Sequence, residues 1–303
     1  MSERPLGLEP QTFGGPSRAA RYASFVKLPH TVFALPFALV GVVLASYVHV
    51  PDARTLVWVV VAFTAARFAA MGFNRIADRD VDAANPRTAM RELPSGALSV
   101  REAKLAVGVA SLVFIGAAAA LNPLCLALSP IALAWVFFYS YTKRFTRWSH
   151  LVLGLGLGIA PVGGYLAVTG AWSRPWWLVC ALTLAVMCWS GGFDILYALQ
   201  DEAFDRAHGL HSLPATLGAA RSILVARALH ASAVALLAAG VLAAPAGHAW
   251  MLAGVAVVAL LLVYEHSLVR PGDLSRLDAA FFTMNGVISI AFLAFALVAR
   301  ALA

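Results

Sequence analysis

Charge is what this sequence has least of. Asp, Glu, Lys and Arg make up 12% of its 303 residues, and 61% are hydrophobic. A soluble domain of this length carries roughly a quarter charged residues, so an ordinary water-soluble fold is excluded. Cysteine is scarce too. Cys125, Cys180 and Cys188 lie in apolar stretches without metal-type spacing, which leaves no disulfide framework and makes them small core residues. Period-two alternation is missing: runs such as LVWVVVAF (56–63) are continuously apolar, whereas a membrane β-strand alternates polar and apolar positions. The first 24 residues are polar and rich in Gly, Pro and Arg. They read as a disordered tail and not as a cleaved signal peptide, because the apolar stretch that follows is too long.

What the chain has instead is a series of apolar stretches near 20 residues long, the length a helix needs to cross the hydrocarbon core. In lipid every backbone polar group must be satisfied internally, which helices do. The expectation is an all-α integral membrane protein of about nine transmembrane helices around a central cavity, in one domain over 25–303. The spans fall near 28–49, 55–73, 103–121, 123–141, 151–169, 176–199, 219–244, 248–266 and 279–300. With the N-terminus placed in the cytoplasm, all of the 22 basic residues fall on that side except Arg54, Arg67, Arg174 and Arg300. This obeys the positive-inside rule. The net charge of +7 is therefore read as topology, not as nucleic-acid binding. Both long loops, 74–102 and 200–218, face the cytoplasm in this arrangement.

Acidic residues number only 15, so their grouping carries information. Asn74, Asp78 and Asp82 follow at intervals of four after the second span. Asp194, Tyr197, Asp201 and Asp205 follow at three, four and four around the end of the sixth. Either spacing puts oxygen-bearing side chains on one helical face. A shift of 123 residues (201 minus 78) lays Asn74, Asp78 and Asp82 on Tyr197, Asp201 and Asp205, which suggests a parallel four-helix pseudo-repeat. Like charges at i,i+4 repel unless a cation neutralises them. Oxygen ligands without Cys or His suit Mg²⁺, usually shared with substrate phosphates. Asp80 and Glu202 point off these faces and read as ordinary surface acids.

The residues in these clusters resemble a known family. NRIADRDVDAANPRTAMRELPSG (74–96) and DILYALQDEAFD (194–205) are similar to the two aspartate-rich motifs of the UbiA superfamily of intramembrane prenyltransferases. YSYTKRFT (139–146) resembles its basic segment, and Met284-Asn285 its last helix. The resemblance implies that Asn74, Asp78, Asp82, Asp201 and Asp205 hold magnesium ions bridging a polyprenyl diphosphate, with Asp194 completing or orienting that shell. It implies that Lys143, Arg144, Arg87 and Arg91 neutralise the diphosphate. Arg67, seven residues before Asn74, lies about 10 Å deeper along the helix. An intramembrane arginine is costly, and it is expected to anchor an acceptor carboxylate or to order the metal shell.

RTAMRELPSG, DILYALQD and GLHSLPATLG look most like the 4-hydroxybenzoate polyprenyltransferase branch, in quinone biosynthesis. HTVFALPFAL also resembles a menaquinone (futalosine-route) subgroup, whose acceptor is 1,4-dihydroxy-6-naphthoate. The implied site faces the cytoplasm from the inner (plasma) membrane. An ion-coupled transporter is the reading from another class, since repeats and intramembrane acids occur there too. Phe137, Phe138, Trp176 and Trp177 fit either a prenyl tunnel or lipid-facing packing, the commoner case. His30, His150, His208 and His211 lack metal spacing and are assigned no role. The glycines of LGLGLGIAPVGG (153–164) read as close helix packing.

Overall fold

The structure is a computed structural model, and it describes residues 17–27, 31–277 and 279–303. The protein is all-helical. The apolar stretches become α2 (Thr31–Ala45), α3 (Ala53–Ala77), α5 (Val100–Leu121), α6 (Pro123–Thr142), α7 (Ser149–Thr169), α8 (Trp177–Ala198), α11 (Ala219–Leu242), α12 (His248–Leu268) and α13 (Asn285–Ala301). Among the described residues, seven of these are long and apolar enough to cross a membrane, while α2 and α13 contribute shorter apolar helices. Short helices fill the connections: α1 (Arg18–Phe25), α4 (Arg79–Ala84), α9 (Glu202–Ala207) and α10 (Leu213–Leu217). Of the tail expected to be disordered, residues 1–16 lie outside the described residues. Arg18–Phe25 is a helix capped by Ser17, with Phe25 buried against α3.

Local chemistry sets the helix starts. Asn122 caps α6 by accepting the Cys125 N–H at 2.9 Å, with Pro123 in the first turn, where its missing N–H costs nothing. Ser99 and Glu102 form a reciprocal capping box at the start of α5, satisfying two otherwise orphaned N–H groups. The proposed repeat is visible in the backbone. Asp78 joins α3 to α4 at φ −98°, ψ 7°, and Asp201 precedes α9 at φ −100°, ψ 3°. The continuous helical face expected at 74–82 is thus bent at Asp78. The i→i−4 ladder still runs through the bend, with Asp78 N–H donating to Asn74 and Asp82 N–H to Asp78, so the carboxylates stay on one side.

In contact order α2, α7, α8, α11, α12 and α13 close a ring, while α3, α5 and α6 form a second lobe against α7. Phe37, Trp189 and Phe292 meet in the ring's core, with Phe37 and Trp189 centroids 4.8 Å apart. The glycine-rich stretch of α7 packs as expected. A Cβ on Gly158 would lie 2.6 Å from the Thr183 carbonyl oxygen of α8, and one on Gly164 would collide with the Ala38 carbonyl of α2. Gly158→Val is therefore expected to destabilise the protein by about 1–3 kcal/mol. Thermal unfolding in detergent checks this, with Gly116→Val as the control, since a Cβ there meets nothing within 4 Å.

Candidate functional site

At the C-terminal ends of α3 and α8 the bends turn two sets of carboxylates into one polar chamber of about 210 Å³. The charged and amide residues expected to bind metal, diphosphate or acceptor all line it: Arg67, Asn74, Asp78, Asp82, Arg87, Arg91, Lys143, Arg144, Asp194, Asp201 and Asp205. The chamber meets a second, apolar one of about 240 Å³ between α3, α5, α6 and α7. Arg67, Met71, Asn74, Tyr139, Leu153 and Leu157 border both. The walls of the apolar chamber mix large residues such as Phe63, Phe114 and Leu128 with small ones such as Ala66, Ala70 and Gly156. Phe137, Phe138, Trp176 and Trp177 do not line it, and Phe138, Trp176 and Trp177 are exposed on the outer surface.

Four of the five aspartates, Asp194 being the exception, face described cations, and Arg87 does so across the two halves. Arg87 donates through Nε and Nη2 to the two oxygens of Asp201 at 2.9 and 2.6 Å, and Asn85 Nδ2 donates to Oδ1 at 3.0 Å. Arg91 Nη1 donates to Asp82 Oδ1 at 2.6 Å, while Arg75 stands 3.9 Å from Asp82 Oδ2. Asn74 donates to Asp78 at 2.9 Å, with Arg144 3.6 Å from the other oxygen. Lys143 Nζ is 3.9 Å from Asp205. Asp194 differs from the rest, because its described partner is the fully buried His150, Nδ1 to Oδ2 at 2.6 Å. The ring of Tyr197 is stacked on Phe281 at 4.1 Å and covered by Arg87 and Lys27.

Electrostatics outside the spans follow from this crowding. Burial, reinforced by the Asp82 charge, pushes the Asp78 carboxyl up to about 6. Burial works against the Lys143 ammonium, but Asp205, Asp201, Asp194 and Asp78 overcome it and raise its pKa. Lys27 is lowered, first by burial and then by Arg75, Arg91 and Arg87. Among the described residues no three His, Cys, Asp or Glu side chains gather into a ready-made metal site. The donor chemistry nonetheless fits a hard cation: Asp82 Oδ2 and Asp205 Oδ2, one from each half, are buried without a hydrogen-bond partner. An unsatisfied buried oxygen costs stability unless something arrives to pair with it.

Sequence reasoning missed Lys27, Arg75 and Asn85, which line the chamber, and His150, which stands behind Asp194. His150 is 44 positions from Asp194 and carries no spacing signal. Lys27 reaches the chamber from a left-handed backbone at φ 47°. Asn85 sits inside the 74–96 stretch between charged neighbours and carries no spacing signal of its own. His30 lies outside the described residues.

Known proteins resemble this chain along most of its length. The sequence model of the UbiA prenyltransferase family matches residues 34–296. The 4-hydroxybenzoate octaprenyltransferase of Alkalilimnicola ehrlichii is 31% identical over 278 residues, 91% of this chain and 93% of that protein. The enzyme of the same name from Aromatoleum aromaticum is 34% identical over 75% of this chain and 76% of its own length. Among solved structures, the apo UbiA homolog from Aeropyrum pernix K1 superposes with a TM-score of 0.79 at 36% identity, covering 89% of this chain and 97% of that one. A UbiA homolog from Archaeoglobus fulgidus bound to GPP and Mg²⁺ shares the fold at TM-score 0.69 and 21% identity, covering 93% of this chain and 99% of its own. Agreement of this extent, over spans, motifs and fold alike, means that the chain belongs to the UbiA prenyltransferase family and is an integral membrane prenyltransferase.

Proposed function

We propose that the protein transfers a polyprenyl group from a polyprenyl diphosphate to a ring carbon of a hydroxylated aromatic acid of the 4-hydroxybenzoate type. The setting is quinone biosynthesis at the inner (plasma) membrane, with the polar chamber towards the cytoplasm. One observation carries the reading: a chamber of paired aspartates and cations opens at Arg67 into an apolar chamber between α3, α5, α6 and α7. An amphiphile with an anionic head and a hydrocarbon tail matches that pair of environments. The names of the relatives support the acceptor. The GPP, DMAPP and Mg²⁺ of the Archaeoglobus structures support the donor and the ion.

In this reading Asn74, Asp78, Asp82, Asp201 and Asp205 hold the magnesium, which when bound supplies positive charge for the diphosphate oxygens. Lys143, Arg144, Arg87 and Arg91 bind the same head group. The allylic C–O bond breaks with its electron pair leaving on the diphosphate, and these cations stabilise the departing charge. The apolar walls exclude water from the allylic cation. A ring carbon ortho to the hydroxyl then forms the C–C bond, and the ring loses one proton. Arg67 holds the acceptor carboxylate.

A transfer assay tests this with purified protein in lipid, Mg²⁺ and a labelled polyprenyl diphosphate. 4-Hydroxybenzoate and 1,4-dihydroxy-6-naphthoate are offered separately. Prenylated 4-hydroxybenzoate is expected; product from the naphthoate alone moves the protein to the menaquinone route with the same chemistry. No product from either, with folded protein, overturns the reading. The Asp78 carboxyl must be ionised to hold a cation. Because burial holds its pKa near 6, Mg²⁺ affinity is expected to weaken as the pH falls through about 6. A Mg²⁺ titration between pH 5 and pH 8 checks this.

A further inference from the structure

Of the aspartates lining the chamber, Asp78, Asp82, Asp201 and Asp205 face a guanidinium or ammonium within 4 Å. Asp194 faces none among the described residues, where its partner is His150. That imidazole is fully buried on α7 and is held at both nitrogens. Nε2 accepts the backbone N–H of Leu213 at 3.4 Å, which places the ring proton on Nδ1, and Nδ1 donates it to Asp194 Oδ2. The other oxygen, Oδ1, receives no hydrogen bond from the described residues, and the Asp194 side chain keeps 18% exposure to the chamber. A carboxylate that an imidazole N–H holds by one oxygen, with the other turned to the chamber and no described guanidinium or ammonium within 4 Å of it, is better placed to accept a proton than to hold a phosphate shell.

Depth points the same way. Asp194 precedes the bend residue Asp201 by seven positions, about 10 Å along the helix. Through the repeat it is level with Met71 (194 minus 123), which borders both chambers. Arg67 lies one turn deeper, about 6 Å. An aromatic acid whose carboxylate rests on Arg67 therefore carries its ring between that arginine and the head-group aspartates, at the level of Asp194.

We propose that Asp194 is the catalytic base of the transfer and that His150 is its positioning residue. This rests on the reading given under the proposed function. Once the new C–C bond has formed, the C–H bond at the same ring carbon breaks. Its electron pair restores the aromatic ring, and the proton passes to Asp194 Oδ1, while the His150 N–H stays on Oδ2.

The test uses full-length protein in lipid with Mg²⁺, and whichever acceptor the wild type prenylates, prepared with and without ring deuterium. Asp194→Asn is expected to lower kcat by about 10²-fold or more, while its affinity for the unreactive farnesyl S-thiolodiphosphate stays that of the wild type. His150→Phe is expected to slow turnover and to show a larger ring-deuterium isotope effect than the wild type, because proton loss becomes slower. His150→Asn, which keeps an N–H donor toward Asp194, is expected to restore both rate and isotope effect. Loss of thiolodiphosphate binding in Asp194→Asn, to the extent seen in Asp201→Asn, would place Asp194 in the diphosphate shell and overturn the proposal. So would slowed variants with no rise in the isotope effect, or variants with full activity. Failure of the wild type to prenylate any aromatic acid is a separate result, and it overturns the function on which this proposal rests.

Discussion

Asp78→Ala is expected to abolish Mg²⁺-dependent prenyl transfer, by about 10²–10³-fold or more in kcat, in a protein that still inserts and folds. The contrast between chemistry and stability is what makes this variant informative. Asp78 is loosely tied: Arg144 stands 3.6 Å away with 43% of its side chain exposed, and partly exposed pairs of this kind contribute at most about 1 kcal/mol. Burial and the Asp82 charge raise its pKa to about 6. Folding therefore favours its protonated form, and the ionised carboxylate is a burden on the cation-free protein above that pH. Removing it should leave the melting temperature unchanged or slightly higher at pH 7. Asp201→Ala should behave differently, because it takes both carboxylate hydrogen bonds from Arg87, whose side chain is only 11% exposed. Leaving one member of such a pair buried costs about 3–5 kcal/mol, so activity and stability fall together. Radiolabelled product formation beside thermal melts separates the two cases. Undiminished product from Asp78→Ala would sink the metal assignment.

The second large effect is expected at Arg67. Arg67→Met should raise KM for the aromatic acid by about 10²-fold or more, as losing one partner of a buried, hydrogen-bonded charge pair costs about 2–5 kcal/mol. KM for the polyprenyl diphosphate should change little, because the head-group aspartates and cations lie at the other end of the polar chamber. An acceptor without the carboxylate supplies the control. Wild-type protein given the corresponding phenol should resemble Arg67→Met given the acid, and the variant should be nearly indifferent to the difference, which is the signature of a direct pair in a double-mutant cycle. Equal losses for both substrates would mean instead that Arg67 organises the head-group end. A methionine is chosen because it keeps much of the side-chain volume at the border of the two chambers.

The membrane class, the span positions and the aspartate clusters were legible because each rests on one-dimensional periodicity. A 20-residue apolar stretch has few folding options in lipid, and carboxylates four apart share a helical side whatever the helix packs against. Even the bend at Asp78, which the spacing did not announce, left Asp82 on the same side, because the hydrogen-bond ladder continues through it. The aromatic residues show the limit of this logic. Phe138 and Trp176 have the composition of a tunnel wall, yet they face outward, while Phe63 and Phe114 border the apolar chamber among its aliphatic residues.

Contacts between distant segments were beyond the sequence. That Arg87 serves Asp201 across 114 positions, that Lys27 enters from the turn after α1 and that His150 singles out Asp194 follow from how α7 and α8 close against each other and how the loop at 85–91 folds over them. By itself the sequence determined the solvent, the helices, the family-like motifs and the eleven polar residues that share a chamber. Tertiary structure alone decided which cation meets which carboxylate, and which carboxylate meets an imidazole instead. The reason is physical: helical periodicity is written in neighbours along the chain, whereas pairing depends on the packing of whole helices, which no local spacing encodes.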